Sequence, residues 1–351
     1  MAVISNNHLF LHNYEEKMNR RNFLEYSILA LVAATAKASN MEMGISPLKL
    51  NTLKFGVISD LHHDIMHDAP DRLNAFLRAA MDNEVDFIIE LGDFCQVKDS
   101  NKYIVNLWNS YQGDKYHVLG NHDMDNCTKV EHLRFTETKK RYYSFDKGNF
   151  HFIVLDPNNL CIKGKYIPYA GGNFYVDPSM RAHIDPEQKK WLKNDLRQTS
   201  KRCILFSHQC LENTVSNREE IRKILEEENE YAGFKKVVAA FSGHDHTNYE
   251  KVINGIAYIQ INSASNQWVG SEYVCEERFD AKTNKEHPAL KYVVPYKDSV
   301  YGIVTLTEKG LSLKGVKSTF IPPTPKDMKI PKDIYPFPLV PWINDFRFDF
   351  V

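Results

Sequence analysis

A chain of 351 residues, 43% apolar and 25% charged, can bury a core large enough to fold without disulfide staples. Its net charge of −1 excludes a broad electrostatic pull toward nucleic acid or an anionic membrane. Six cysteines, none in C-x-x-C spacing, exclude a zinc ribbon or a thioredoxin-type motif.

Residues 1–38 read as a targeting segment rather than as part of the fold. Arg20-Arg21-Asn22-Phe23-Leu24 leads into an apolar run over 28–34, and Ala36-Lys37-Ala38 closes it with small residues. The pattern resembles a twin-arginine export signal. That resemblance implies cleavage after Ala38 and a periplasmic or other extracytoplasmic location. An uncleaved membrane anchor is the competing reading. The apolar run is too short to span a bilayer, so no stable membrane insertion is expected once the signal is removed.

The folded domain is expected over 50–320. Residues 53–59 (LKFGVIS) are an apolar run between polar flanks, which predicts a buried strand. Over 72–81, Leu73, Phe76, Leu77 and Ala80 recur at helical spacing. A strand at 86–91, a helix at 103–111 and a short strand at 116–119 follow. This alternation predicts an α/β fold with a parallel or mixed sheet under covering helices. Asp146-Lys147-Gly148-Asn149 separates strands at 142–145 and 150–155, a hairpin signal. The Gly-, Pro- and Tyr-rich stretch 157–178 reads as a long loop, and such loops are often functional. A helix at 186–198 begins with Pro186. A strand at 203–207, a charged helix at 218–228 and a strand at 237–241 come next. Asn254-Gly255 marks a hairpin within 249–261, and Lys309-Gly310 marks another within 299–319. Residues 321–351, rich in proline and aromatic residues, are expected to pack over the domain surface.

Five polar clusters each follow a predicted strand: Asp60-Leu61-His62, Gly92-Asp93, Gly120-Asn121-His122-Asp123, Ser207-His208 and Gly243-His244-Asp245-His246. In open α/β sheets, ligands bind at the carboxyl ends of strands. Imidazole, carboxylate and amide oxygen together suit transition metals. A D-x-H unit in extended geometry would place both side chains on one face, and the same holds for His244 and His246.

In this order the clusters resemble those of the calcineurin-like metallophosphoesterase superfamily, over more than half of the chain. The resemblance implies a four-layer α/β/β/α sandwich of two mixed sheets flanked by helices. It implies two divalent or mixed-valence metal ions, with Mn, Fe or Zn the leading identities. Asp60, His62, Asp93 and His246 would hold one ion. Asp93, Asn121, His208 and His244 would hold the other, with Asp93 bridging. A metal-bridging hydroxide would then attack phosphorus in line. His122 would protonate the leaving group, with Asp123 holding its ring. Purple acid phosphatases carry a tyrosine three residues after the bridging aspartate. Gln96 stands there in this chain, so a ferric charge-transfer site is not expected.

The implied activity is hydrolysis of a phosphate mono-, di- or pyrophosphate ester. The partner is a small phosphorylated substrate, with nucleotides among the candidates. The motif layout and the loop before His208 also resemble the manganese-dependent ADP-ribose pyrophosphatase branch. Tyr166, Tyr169 and Tyr175 are candidates for stacking on a base or for packing the loop, and Trp268 for the site mouth with Asn262, Ser263 and Ser265. The rival readings are a non-catalytic exported metal-binding protein and a nuclease of the same superfamily. The neutral charge and absence of a basic stripe argue against nucleic acid as the partner.

Overall fold

The structure, a computed structural model, describes residues 52–332 and 335–350; the expected export signal lies outside them. In chain order the first strands are β1 (Leu53–Ile58), β2 (Phe87–Glu90), β3 (Asp114–His117), β4 (Tyr143–Lys147) and β5 (Phe150–Val154). A small hairpin, β6 (Asn159–Ile162) and β7 (Lys165–Pro168), stands within the stretch expected to be loop. Next come β8 (Arg202–Phe206), β9 (Val237–Ser242), β10 (Tyr249–Ile253), β11 (Ile256–Gln260), β12 (Asn266–Trp268) and β13 (Val293–Pro295). The last are β14 (Gly302–Thr307), β15 (Gly310–Gly315) and β16 (Phe346–Asp349). The helices are α1 (Ala69–Asp82), α2 (Lys102–Asn109), α3 (Lys129–Phe135), α4 (Pro186–Gln198), α5 (Arg218–Ala232) and α6 (Ala281–Glu286).

Two six-stranded mixed sheets result. One runs β16-β15-β14-β1-β2-β3, and the other β10-β11-β9-β8-β5-β4. Strands β1, β2 and β3 are parallel to one another, as are β5, β8, β9 and β11. The inner faces of the two sheets share one apolar cluster that includes Phe55, Phe87, Phe152, Phe206 and Phe241. Phe55 is its hub. Its ring stacks on Phe87 at 5.0 Å and meets Phe152, Phe206 and Phe241 edge-on at 5.6–6.1 Å.

The outer faces are covered by helices. On α1 the buried side chains are Leu73, Phe76, Leu77 and Ala80, the stripe that 3.6-residue periodicity predicts. They pack with Trp108 of α2 against the first sheet. Leu192 and Leu196 of α4, with Ile221 and Leu225 of α5, cover the second. The layers are therefore α/β/β/α, as expected. Helix α3 was not expected, although its capping box is written in the sequence: Thr128 accepts from the Glu131 N–H, and the Glu131 side chain bonds back to Thr128. The segment beyond residue 320 also does more than pack over the surface, since β16 pairs with β15 and extends the first sheet. Among the described residues, no helix is long and apolar enough to cross a membrane.

The Phe55 hub yields a prediction. Phe55 is fully buried, so Phe55→Ala removes its ring contacts with both sheets and opens a void. Urea unfolding of the metal-free protein should show a loss of about 3–5 kcal/mol. A loss under about 1 kcal/mol would mean that the sheets are not held through this ring.

Candidate metal centre

The chain leaves β1, β2 and β9 through left-handed backbone. Asp60, His62, Asp93, His244 and His246 have φ of 52°, 48°, 56°, 71° and 47°. That corrects the expectation of an extended Asp60-Leu61-His62 unit. Such conformations are uncommon for residues with a Cβ and cost on the order of 1–3 kcal/mol each. Local hydrogen bonds hold them. The N–H groups of Asp60, His62 and His63 donate to the carbonyls of Gly92, Asp93 and Phe94 at 2.9–3.2 Å, so the loops after β1 and β2 run side by side. Ser263 and Ser265 donate their hydroxyls to the Asp60 carbonyl at 2.8 and 3.3 Å, placing them behind the site rather than at its mouth. Gly92 has a φ of 101°, and a Cβ there would lie 2.6 Å from the backbone of Gly120 and 2.7 Å from His208 Nδ1.

These loops bring together two donor groups, Asp60 with His62 and His246, and Asp93 with His208 and His244. In each group the ligating atoms lie within 4.8 Å of one another. His62 Nε2 and His246 Nε2 are 2.9 Å apart, and Asp60 Oδ1 is 3.4 Å from the latter. In the second group, His208 Nε2 lies 3.1 Å from Asp93 Oδ2, 3.1 Å from Asn121 Oδ1 and 3.2 Å from His244 Nδ1. Asp93 stands between the groups. Its Oδ1 accepts the His122 N–H at 2.8 Å, while Oδ2 faces both His208 and, at 3.8 Å, His62 Nε2. All seven side chains expected as ligands thus line one cleft.

This donor set fits a pair of metal ions. His246 Nδ1 lies 2.8 Å from the Asn266 carbonyl and His208 Nδ1 2.8 Å from the Leu91 carbonyl. A carbonyl only accepts, so each Nδ1 carries a proton, which reserves each Nε2 for a cation in the cleft, a metal ion or a proton. Asp60 and Asp93 are buried, and buried carboxylates need a cation or donors. Burial alone would raise the Asp93 carboxyl, but the imidazoles of His208, His122 and His62 outweigh it and hold it well below the usual range. Burial works against a charge on His208, yet Asp93 and Asp60 push its pKa up to about 10. The pocket demands positive charge, and two cations would supply it.

His122 stands beside this cleft, its ring 5.6 Å from that of His62. Asp125, and not Asp123, holds that ring: His122 Nδ1 is 3.1 Å from Asp125 Oδ2. Gln96 Nε2 and the Tyr175 hydroxyl also donate to the Asp125 carboxylate, each at 3.1 Å. Asp123 faces away because its oxygens accept the Phe94 and Gly120 N–H groups at 2.9 and 2.8 Å, tying the loops after β2 and β3 together. One turn of 3-10 helix over His122–Met124 brings residue 125, rather than 123, under the imidazole. Of the three loop tyrosines, Tyr175 lines the site cavity. Tyr169 is buried and accepts the Ala182 N–H at 2.8 Å, and Tyr166 packs near His183. All six cysteines are free thiols.

A family profile described as calcineurin-like phosphoesterase matches residues 53–248, more than half of the chain. No curated protein matches. Among solved structures, a dimetal phosphatase from Danio rerio is similar at 16% identity, covering 77% of this chain and 98% of that one, with a TM-score of 0.55. A 5′-nucleotidase candidate from Staphylococcus aureus shares 14% identity over 77% of this chain and 54% of its own, with a TM-score of 0.45. The phosphopantetheinyl hydrolase of Mycobacterium tuberculosis shares 12% identity over 60% and 89%, with a TM-score of 0.37. Likeness to the first of these shows the fold, two mixed sheets between helices. Two metal-binding groups at the strand ends and a profile match spanning them lead to one conclusion: the chain belongs to the calcineurin-like phosphoesterase family, the metal-dependent hydrolases of phosphoric esters.

Proposed function

We propose that the protein hydrolyses a small phosphate mono-, di- or pyrophosphate ester, with His122 as the acid that protonates the departing oxygen. The observation that carries this reading is the placement of His122. It lines the same cavity as both donor groups and is held through one ring nitrogen only. Asp60, His62, Asp93 and His246 would hold one metal ion, and Asp93, Asn121, His208 and His244 the other. When bound, such a pair supplies Lewis acidity toward phosphoryl oxygens and a water made nucleophilic at neutral pH.

The rest of the chemistry falls to the chain itself. His122 Nδ1 faces the Asp125 carboxylate at 3.1 Å and the Tyr175 hydroxyl at 3.4 Å, which leaves Nε2 for the substrate. Burial would lower the His122 pKa, but the charges of Asp93 and Asp125 outweigh it and bring it to about 9. A general acid must hold its proton at the working pH, and the Asp125 carboxylate against Nδ1 favours that form. Cations on Asp93 would share that carboxylate's charge, leaving Asp125 as the anion that keeps His122 protonated. Gln96 and Tyr175 fix Asp125 and act as positioning residues.

Three outcomes test this reading. His122→Ala should lower kcat about 10²–10⁴-fold while elemental analysis still finds two metals per chain; unchanged turnover would remove His122 from the reaction. In Asp125→Asn the ring loses its adjacent anion, so its pKa falls. Activity needs the protonated ring, so the alkaline limb of the kcat profile should move to lower pH; a stationary limb would contradict the assignment. Chelation followed by dialysis should abolish turnover, and Mn, Zn or Fe should restore it. Full activity in a preparation shown to be metal-free would refute a dinuclear mechanism.

A further inference from the structure

The cavity over the metal centre encloses about 570 Å³, within the range of small-molecule sites and far more than a phosphate group fills. His122, Asp125, Gln96 and Lys98 line part of it. Trp268, Tyr335, Phe337 and Leu339, with prolines 336 and 338 between them, give the same cavity a largely apolar wall. Trp268 is 43% exposed, an unusually open indole for a residue flanked by buried neighbours. This wall is braced from behind. The Tyr335 hydroxyl donates to the Trp268 carbonyl at 2.7 Å, Tyr292 packs beside the indole at 5.9 Å, and the Phe337 ring lies 4.7 Å from Tyr249.

From this we infer that the site selects phosphoesters whose leaving group carries a planar aromatic ring, as in a nucleoside, and that Trp268 with residues 335–339 is the wall that reads it. The inference rests on the hydrolytic reading above. An open indole on a braced wall offers a stacking face. An acyl chain has no flat face to lay against that indole, whereas a nucleobase does. Residue 268 and residues 335–339 lie outside the matched family region at 53–248, so this wall belongs to the remainder of the chain.

The test uses esters that differ only in the base. Full-length protein loaded with Mn is assayed on adenosine 5′-monophosphate against ribose 5-phosphate, and on adenosine 5′-diphosphate against ribose 5-diphosphate. The base-bearing member of at least one pair should be favoured in kcat/KM by about tenfold or more, Trp268→Ala should reduce that ratio on the order of tenfold, and Trp268→Phe should keep most of it. Equal kcat/KM within both pairs, or a ratio that Trp268→Ala leaves intact, overturns the inference. Absence of turnover on every one of these esters and on a phosphodiester, bis(p-nitrophenyl) phosphate, defeats the hydrolytic reading instead. Calorimetric titration with adenosine 5′-monophosphate and ribose 5-phosphate then decides: a preference for the former that Trp268→Ala removes supports the wall, and equal or undetectable binding overturns it.

Discussion

The centre depends on two carboxylates, Asp60 and Asp93, that share a buried cleft with four imidazoles. A buried carboxylate is tolerated only with a compensating cation or a full set of donors. Backbone N–H groups satisfy part of that need: His244 donates to Asp60 and His122 to Asp93. The remaining oxygens face imidazole nitrogens whose outer protons are engaged by carbonyls. Lone pair faces lone pair and anion across a few ångströms, an arrangement that is stable once cations fill it and otherwise only by taking up protons. The elevated basicity of His208 expresses that demand.

The architecture exists to bring these groups to one point from two sheets. Phenylalanines from both inner faces interlock around Phe55, and sheets packed face to face stand about 10 Å apart. Each sheet ends several parallel strands at the cleft, and parallel strands present their carboxyl ends together. The distance still to be bridged is covered by sharply turned loops rather than by longer strands, which is why left-handed backbone gathers at Asp60, His62, Asp93, His244 and His246. The Ser263 and Ser265 hydroxyls and the paired loops after β1 and β2 over-determine those turns. Metal binding to a pre-shaped cleft would offset the strain held there.

The convergence of these side chains and the layering were legible because both follow from local pattern. Short apolar runs ending in Asp, Asn and His announce strands whose ends meet a ligand, and glycine at 92 and 120 announces backbones in close approach. What escaped reading has particular physical causes. The partner of His122 depends on one helical turn after Asn121, a feature too short for periodicity to reveal. Asp123 looked suitable by adjacency but is occupied by two backbone N–H groups from neighbouring loops, a tertiary fact. The hairpin within 157–178 hides behind turn-rich composition, and β16 behind the prolines before it. The helix over 129–135 was readable, since its Thr128–Glu131 capping box is a sequence signature.

The chemistry and the choice of substrate occupy different parts of this chain. The candidate metal ligands and His122 all fall between Asp60 and His246, within the stretch that matches the family. The apolar wall of the cavity comes from Trp268 and from residues near the carboxyl end, which reach the site before β16 joins the first sheet. Bound metals and the residues holding them would act on the phosphoryl group, which every phosphoric ester shares, so that part of the cavity would be constrained by the reaction. The wall touches only what varies among phosphate esters. A substitution there can change which ester binds without disturbing a donor, because the indole and the rings of 335 and 337 are braced by contacts independent of the imidazoles. Function on this fold therefore divides as it does on other widely used folds, with a fixed reaction centre and a separable recognition surface.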